Sequence, residues 1–141
     1  MMKSYSATIN IKAKPGTIWE VLVDGDKYPD WDPGMDRVEG TIAPGESVKF
    51  FTKMSPDRAF PAKVTTCEPG QKMVLTGGMP LGLFKSQRTH TLTPNVDGST
   101  TFATQEIFSG LLLPLFGGSI PDLTEVFENF AAGLKTQSEK E

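Results

Sequence analysis

The chain has 141 residues, a net charge of −3, a hydrophobic share of 38% and one cysteine, Cys67. That length suits a single domain spanning 1–141, and the composition excludes a disordered acidic chain. The lack of a dense Lys/Arg run argues against nucleic acid and against an anionic membrane surface as partners, and the lone cysteine excludes an internal disulfide.

The chain opens with a strand. Tyr5, Ala7, Ile9 and Ile11 alternate with Ser6, Thr8, Asn10 and Lys12, as in a half-buried strand. The residues before it, Met1-Met2-Lys3-Ser4, show no apolar signal core, and no run is long enough to span a membrane. The expected location is therefore cytoplasmic, with no integral membrane association. Pro15-Gly16 ends the strand and opens a short helix over Thr17–Val23, which Asp24-Gly25-Asp26 stops. Tyr28-Pro29-Asp30-Trp31-Asp32-Pro33-Gly34 follows, and its two prolines permit at most one helical turn.

Turn-bounded strands are then predicted at Met35–Ile42, Ser47–Met54, Phe60–Glu68, Lys72–Gly77, Lys85–Thr93 and Ser99–Ser109. The closing turns are Ala43-Pro44-Gly45, Ser55-Pro56-Asp57, Pro69-Gly70 and Pro94-Asn95-Val96-Asp97-Gly98. Short connections imply sequential antiparallel pairing. Two loops, Met79–Phe84 and Gly110–Gly118, are apolar, so each is expected to cover something or to touch something.

The final element is a helix over Ile120–Gln137. Leu123, Val126, Phe127, Phe130, Ala131 and Leu134 share one arc of roughly 160°. Gly133 falls on that arc at a cost of about 1 kcal/mol relative to Ala, so it marks a close approach of the sheet or a ligand. Strands and helices are segregated along the chain, which makes the fold class α+β.

The order of these pieces resembles the helix-grip superfamily of START-related, pollen-allergen-like proteins (SRPBCC), in its bacterial polyketide cyclase/dehydrase-like branch. The resemblance rests on Ile9-x-Ile11-x-Ala13-x-Pro15, Ile18-Trp19-x-Val21-Leu22-x-Asp24, Tyr28-Pro29-x-Trp31-x-Pro33 and Val38-x-Gly40. It continues through Pro44-Gly45, Gly78-x-Pro80-Leu81-Gly82-Leu83-Phe84, Leu92-Thr93-Pro94, Glu106-x-Phe108-x-Gly110 and Phe127 to Lys135. It implies a seven-stranded antiparallel sheet curved around the long C-terminal helix, with one or two short helices after the first strand and an apolar cavity between sheet and helix. Members of the superfamily carry lipids, sterols or other apolar molecules, and some cyclise, aromatise or dehydrate polyketides.

Strand alternation selects the candidate site. The face that holds Leu92 also holds His90, Arg88 and Ser86, and the face that holds Phe102 and Phe108 also holds Thr104 and Glu106. If Leu92 and Phe102 face the long helix, Arg88, His90 and Glu106 face the cavity. A buried carboxylate needs a partner, and Arg88 is the obvious one for Glu106. The catalytic candidates are His90 and Glu106 as acid/base groups, against a plain structural Arg–Glu pair with His90 filling the core. Phe50, Val64, Leu75, Phe102, Phe108, Phe127 and Phe130 are expected to line the pocket, with Trp31 as a wedge at one end and Leu112 in a lid.

No cofactor and no metal are expected. Asp30, Asp32 and Asp36 only partly mimic a calcium loop, and Cys67 has no nearby His. The leading function is binding of a small hydrophobic ligand that is lipid-, polyketide- or isoprenoid-like. The alternatives are a polyketide cyclase/dehydratase-like enzyme and an interaction module that uses the apolar loops, in a monomer or a homodimer.

Overall fold

The computed structural model describes residues 2–79, 81–111, 113 and 122–141. Strand β1 (Lys3–Ile11) is followed by helix α1 (Pro15–Val23), a 3-10 turn (Gly25–Lys27) and the one-turn helix α2 (Tyr28–Trp31). Strands β2 (Met35–Glu39), β3 (Ser47–Thr52), β4 (Ser55–Glu68), β5 (Lys72–Met79), β6 (Phe84–Pro94) and β7 (Thr100–Ser109) come next. The last helix, α3, spans Thr124–Lys140. The strands form one antiparallel sheet in the order β1-β7-β6-β5-β4-β3-β2, so every neighbour is a hairpin partner except β1, which joins the far edge of β7.

The helices begin and end for local reasons. Pro15 occupies the first turn of α1, where no N–H is required, and Ile18, Val21 and Leu22 are its buried side. Helix α2 stops because Asp32 precedes Pro33, which disfavours helical backbone, and Asp32 is extended at φ −99° and ψ 107°. Helix α3 runs past the expected end at Gln137, with Lys135 paired to Glu139 one turn on and Glu139 accepting the N–H of Lys12, just after β1. Just before α3, the Asp122 carboxylate accepts the Thr124 N–H at 3.0 Å and the Thr124 hydroxyl at 2.7 Å. The expected start at Ile120-Pro121 lies outside the described residues, as do Pro80, Leu112 and 114–118 of the apolar loops.

Several strand boundaries differ from those read off the sequence. The Ser55-Pro56-Asp57 segment, expected as a turn, opens β4, and the chain reverses at Lys53-Met54 between paired Thr52 and Ser55. A register shift between Phe50 and Thr52 leaves Pro56 outside the paired positions. Strand β2 ends at Glu39 because Gly40 turns with φ +100°.

The core lies between the concave sheet face and α3. Ile11, Leu92, Phe102, Val64, Met73 and Leu75 from the sheet meet Phe130, Ala131 and Leu134 from α3, and α1 and α2 close one side. Gly133 faces neither sheet nor open space. A Cβ there would overlap the Trp31 carbonyl oxygen, so the close approach expected at this glycine is to the backbone of α2.

Candidate functional site

Strand register arranges the concave face in rows. One row crosses five strands as Tyr5, Glu106, Arg88, Leu75 and Val64, each paired with the next. The adjacent row reads Ala7, Thr104, His90, Met73 and Cys67. A two-residue side-chain period puts every second residue on the concave side, so Arg88, His90 and Glu106 share it with Leu92 and Phe102. The β6–β7 hairpin therefore brings the three polar candidates together.

Within that group, Arg88 and Glu106 form an ion pair: Nη2 of Arg88 donates to Oε2 of Glu106 at 3.3 Å. The Arg88 guanidinium also lies over the Phe127 ring at 4.7 Å and the Phe130 ring at 6.0 Å. Aromatic faces suit guanidinium, because the ring quadrupole attracts the cation. The pair is half-buried, with 27% of the Arg88 side chain and 13% of the Glu106 side chain exposed, so solvent still reaches it.

His90 is enclosed. Its ring stacks on Phe130 at 5.4 Å with planes 7° apart and on Phe102 at 5.7 Å with planes 29° apart. Burial, aided by the Arg88 charge, pushes its pKa down to about 3. The imidazole is neutral at neutral pH, and its Nδ1 has no hydrogen-bond partner. Over the middle of the sheet, the space beneath α3 is filled by this stack together with Trp31 and Tyr28. Trp31 meets Phe130 edge-on at 5.1 Å and Tyr28 at 4.7 Å.

Toward the Phe84 end of the hairpin the interior is less sealed. Phe84 stacks on Phe108 at 6.1 Å, Phe108 meets Tyr5 edge-on at 6.3 Å, and Tyr5 contacts Phe127. Phe50, Phe84, Ser86 and Phe108 are only half-buried although strand alternation turns them inward. The two apolar loops meet at this end. Leu111 N–H donates to Gly82 O, and a Cβ on Gly110 would press on Leu83 and Phe84 backbone at 2.7 and 2.8 Å. Leu113 is fully buried, whereas Leu81 and Leu111 project outward with 91% and 77% of their surface exposed.

The sequence-derived site residues thus divide. Arg88, Glu106 and Phe108 border the less sealed end, Phe127 forms its wall under the guanidinium, and half-buried Phe50 packs on the core beside Tyr28. Trp31, Val64, Leu75, His90, Phe102 and Phe130 are buried in the packed interior. Leu112 lies outside the described residues. Two neighbours escaped the sequence reading: Tyr28, whose hydroxyl donates to Leu22 O at 2.5 Å, and Asp32, which is buried with Oδ1 accepting the Gly34 N–H at 3.1 Å. Both lie in the field of Arg88, and burial pushes both pKa values up. The Asp-Pro-Gly run was the available signal for Asp32, since Asp commonly closes such a turn through its own side chain.

Two surface hollows lie elsewhere. One, of about 430 Å³, adjoins Lys12, Lys14 and the β6–β7 turn; the other, of about 490 Å³, lies between α2 and α3. Neither includes Arg88 or Glu106. Among the described residues no group of three His, Cys, Asp or Glu side chains is placed to hold a metal, and no helix is long and apolar enough to cross a membrane. Cys67 is half-buried with its thiol pKa raised by burial, which does not favour a thiolate.

A seven-stranded antiparallel sheet wrapped on a C-terminal helix is the helix-grip fold of START-related proteins. The chain belongs to the polyketide cyclase / dehydrase and lipid transport family, whose model matches residues 2–139. A START superfamily protein from Mycobacterium smegmatis superposes with a TM-score of 0.69 at 16% identity, covering 99% of this chain and 97% of that one. Truncated norcoclaurine synthase from Thalictrum flavum gives 0.72 at 15% identity, covering 100% and 96%. The di-domain ARO/CYC StfQ from the steffimycin biosynthetic pathway gives 0.74 at 16% identity, covering 99% of this chain and 52% of its own. At these identities the likeness is one of fold. No curated protein sequence matches the chain.

Proposed function

We propose that the protein binds a small, mostly apolar molecule on the concave face of the sheet, at the Phe84 end. Its apolar body would lie among Phe84, Phe108 and Phe127, with a polar end at Arg88 and Glu106. The observation that carries this reading is the half-buried Arg88–Glu106 pair, still reached by solvent, set among inward-facing aromatic side chains. Ligand pockets combine such an apolar lining with a few placed polar groups. Family membership supports the same class of ligand.

The cyclase/dehydratase reading has less support. His90 is neutral and stacked between two phenylalanines, and a useful general acid or base needs a pKa near the working pH. Organic extraction of the purified protein with mass spectrometry, paired with Nile red titration, tests the binding reading. An extracted apolar molecule or saturable dye fluorescence lost in Arg88→Met supports it. No extract and no dye binding would defeat it.

A further inference from the structure

Among the described residues seven large hydrophobic side chains are exposed: Met2, Met54, Phe60, Met79, Leu81, Val96 and Leu111. Strand register sets six of them at one end of the sheet. Lys3 pairs with Phe108, Lys85 with Ser109 and Met79 with Phe84, so Met2, Leu111 and Met79 stand at neighbouring ends of β1, β7 and β5. Leu81 lies in the β5–β6 connection, which the Leu111 N–H joins through the Gly82 carbonyl. A Cβ on Gly77 would stand 2.6 Å from the Pro61 carbonyl oxygen, which brings Phe60 of β4 to the same end. Met54 is in the β3–β4 turn beside it, before paired Ser55. Val96 alone lies at the other end, in the β6–β7 turn. Single apolar residues on a surface need no explanation, but a cluster does. Leu81 carries a further cost. Its φ of +62° is a left-handed conformation that a bulky side chain disfavours, and the leucine held there is 91% exposed.

The same end is basic. The segments that carry these side chains, 2–3, 53–60, 79–85 and 109–111, hold Lys3, Lys53, Arg58 and Lys85 against one acid, Asp57, in a chain whose net charge is −3. Asp122, in the field of Lys3 and already accepting from Thr124, and Glu125 stand at the head of α3. No stretch of sequence shows this charge, because the cations lie far apart in the chain and the sheet gathers them. The sequence therefore argues against an anionic surface where the fold provides for one. Apolar tips set among cations match a bilayer with anionic headgroups: the acyl layer takes the tips, and each nearby Lys or Arg adds attraction. A two-fold pairing of copies through this end would instead set the four cations against their own counterparts. Met2, Met54 and Met79 have flexible side chains, which suit a fluid partner more than a fixed pocket.

We infer that this end of the sheet docks peripherally on anionic lipid bilayers, with Leu81 and Leu111 entering the acyl layer and Lys3, Lys53, Arg58 and Lys85 meeting the headgroups. Docking goes beyond ligand binding and does not require it. The test is sedimentation of the full chain with vesicles of phosphatidylcholine alone or of equal parts phosphatidylcholine and phosphatidylglycerol. The mixed vesicles should bind about tenfold tighter or better, and raised salt should erase most of the difference. Leu81→Ser with Leu111→Ser removes apolar area without adding charge and should weaken binding to mixed vesicles about tenfold or more. Lys53→Gln with Lys85→Gln should weaken it about tenfold or more. Val96→Ser, at the opposite end, should leave it within about twofold. Circular dichroism checks that each variant is folded. No binding to the mixed vesicles, equal binding to both kinds, or binding unchanged by the paired leucine substitutions overturns the inference. A dimer of the parent in light scattering that those leucine substitutions abolish also overturns it and assigns the end to a second copy.

Discussion

Gly133 of α3 lies directly against the backbone of Trp31 in α2. A Cβ added to Gly133 would overlap the Trp31 carbonyl oxygen and stand 2.9 Å from its carbonyl carbon. The contact holds α2 against the long helix and so presents the Trp31 ring to Phe130. Alanine favours a helix interior by about 1 kcal/mol over glycine, but here that gain meets a backbone clash. Gly133→Ala is expected to lower stability by about 1–3 kcal/mol. Urea unfolding measures it, and a variant as stable as the parent would show that α2 yields freely.

His90 makes stability depend on pH. Its pKa is near 6.5 unfolded and about 3 folded, so between these values the unfolded chain binds a proton that the folded chain refuses. Stability from this group is therefore complete above the unfolded value and is lost as pH falls toward the folded one. Between about pH 7.5 and about pH 5 the loss amounts to roughly 2 kcal/mol. His90→Phe keeps the ring stack and removes the titration. It should be within about 1.5 kcal/mol of the parent at neutral pH, with a flatter profile on acidification. Denaturant midpoints across that range check this, and parallel slopes for the two proteins would refute it.

Arg88 and Glu106 are partly dehydrated, so removing one partner should cost more than removing both. Glu106→Leu alone leaves a guanidinium without its carboxylate and is expected to cost about 1–3 kcal/mol, below the fully buried limit because solvent reaches the pair. Arg88→Leu with Glu106→Leu should recover most of that loss. Nile red binding should change in both variants. Additive losses in a double-mutant cycle would mean that the pair is not coupled.

Leu113 and Leu111 separate packing from docking in the apolar loop. Leu113 is fully buried within one chain, whereas Leu111 is 77% exposed. Leu113→Asp should cost about 3 kcal/mol or more, through lost burial and a dehydrated charge. Leu111→Asp should stay within about 0.5 kcal/mol. Light scattering on both variants distinguishes cover from interface: a change of oligomeric state with Leu111→Asp would assign the exposed tip to a contact between copies.

Much of the fold was legible in the chain itself. Alternation in Tyr5–Ile11 and in the β6–β7 hairpin requires one buried face, and the 3.6-residue recurrence from Leu123 to Leu134 requires a helix that needs covering. The same alternation placed Arg88, His90 and Glu106 on one face, because side-chain parity is a local property of an extended backbone. Tertiary structure decided the rest. The partner of Gly133 is an atom of α2, about a hundred residues earlier in the chain, and no local pattern names it. His90 and Glu106 share a face and a hairpin, yet one is sealed between Phe102 and Phe130 while the other pairs with Arg88 near solvent. Parity states which way a side chain points. How far it is desolvated, and hence whether it titrates near neutrality, depends on what the other elements lay over it.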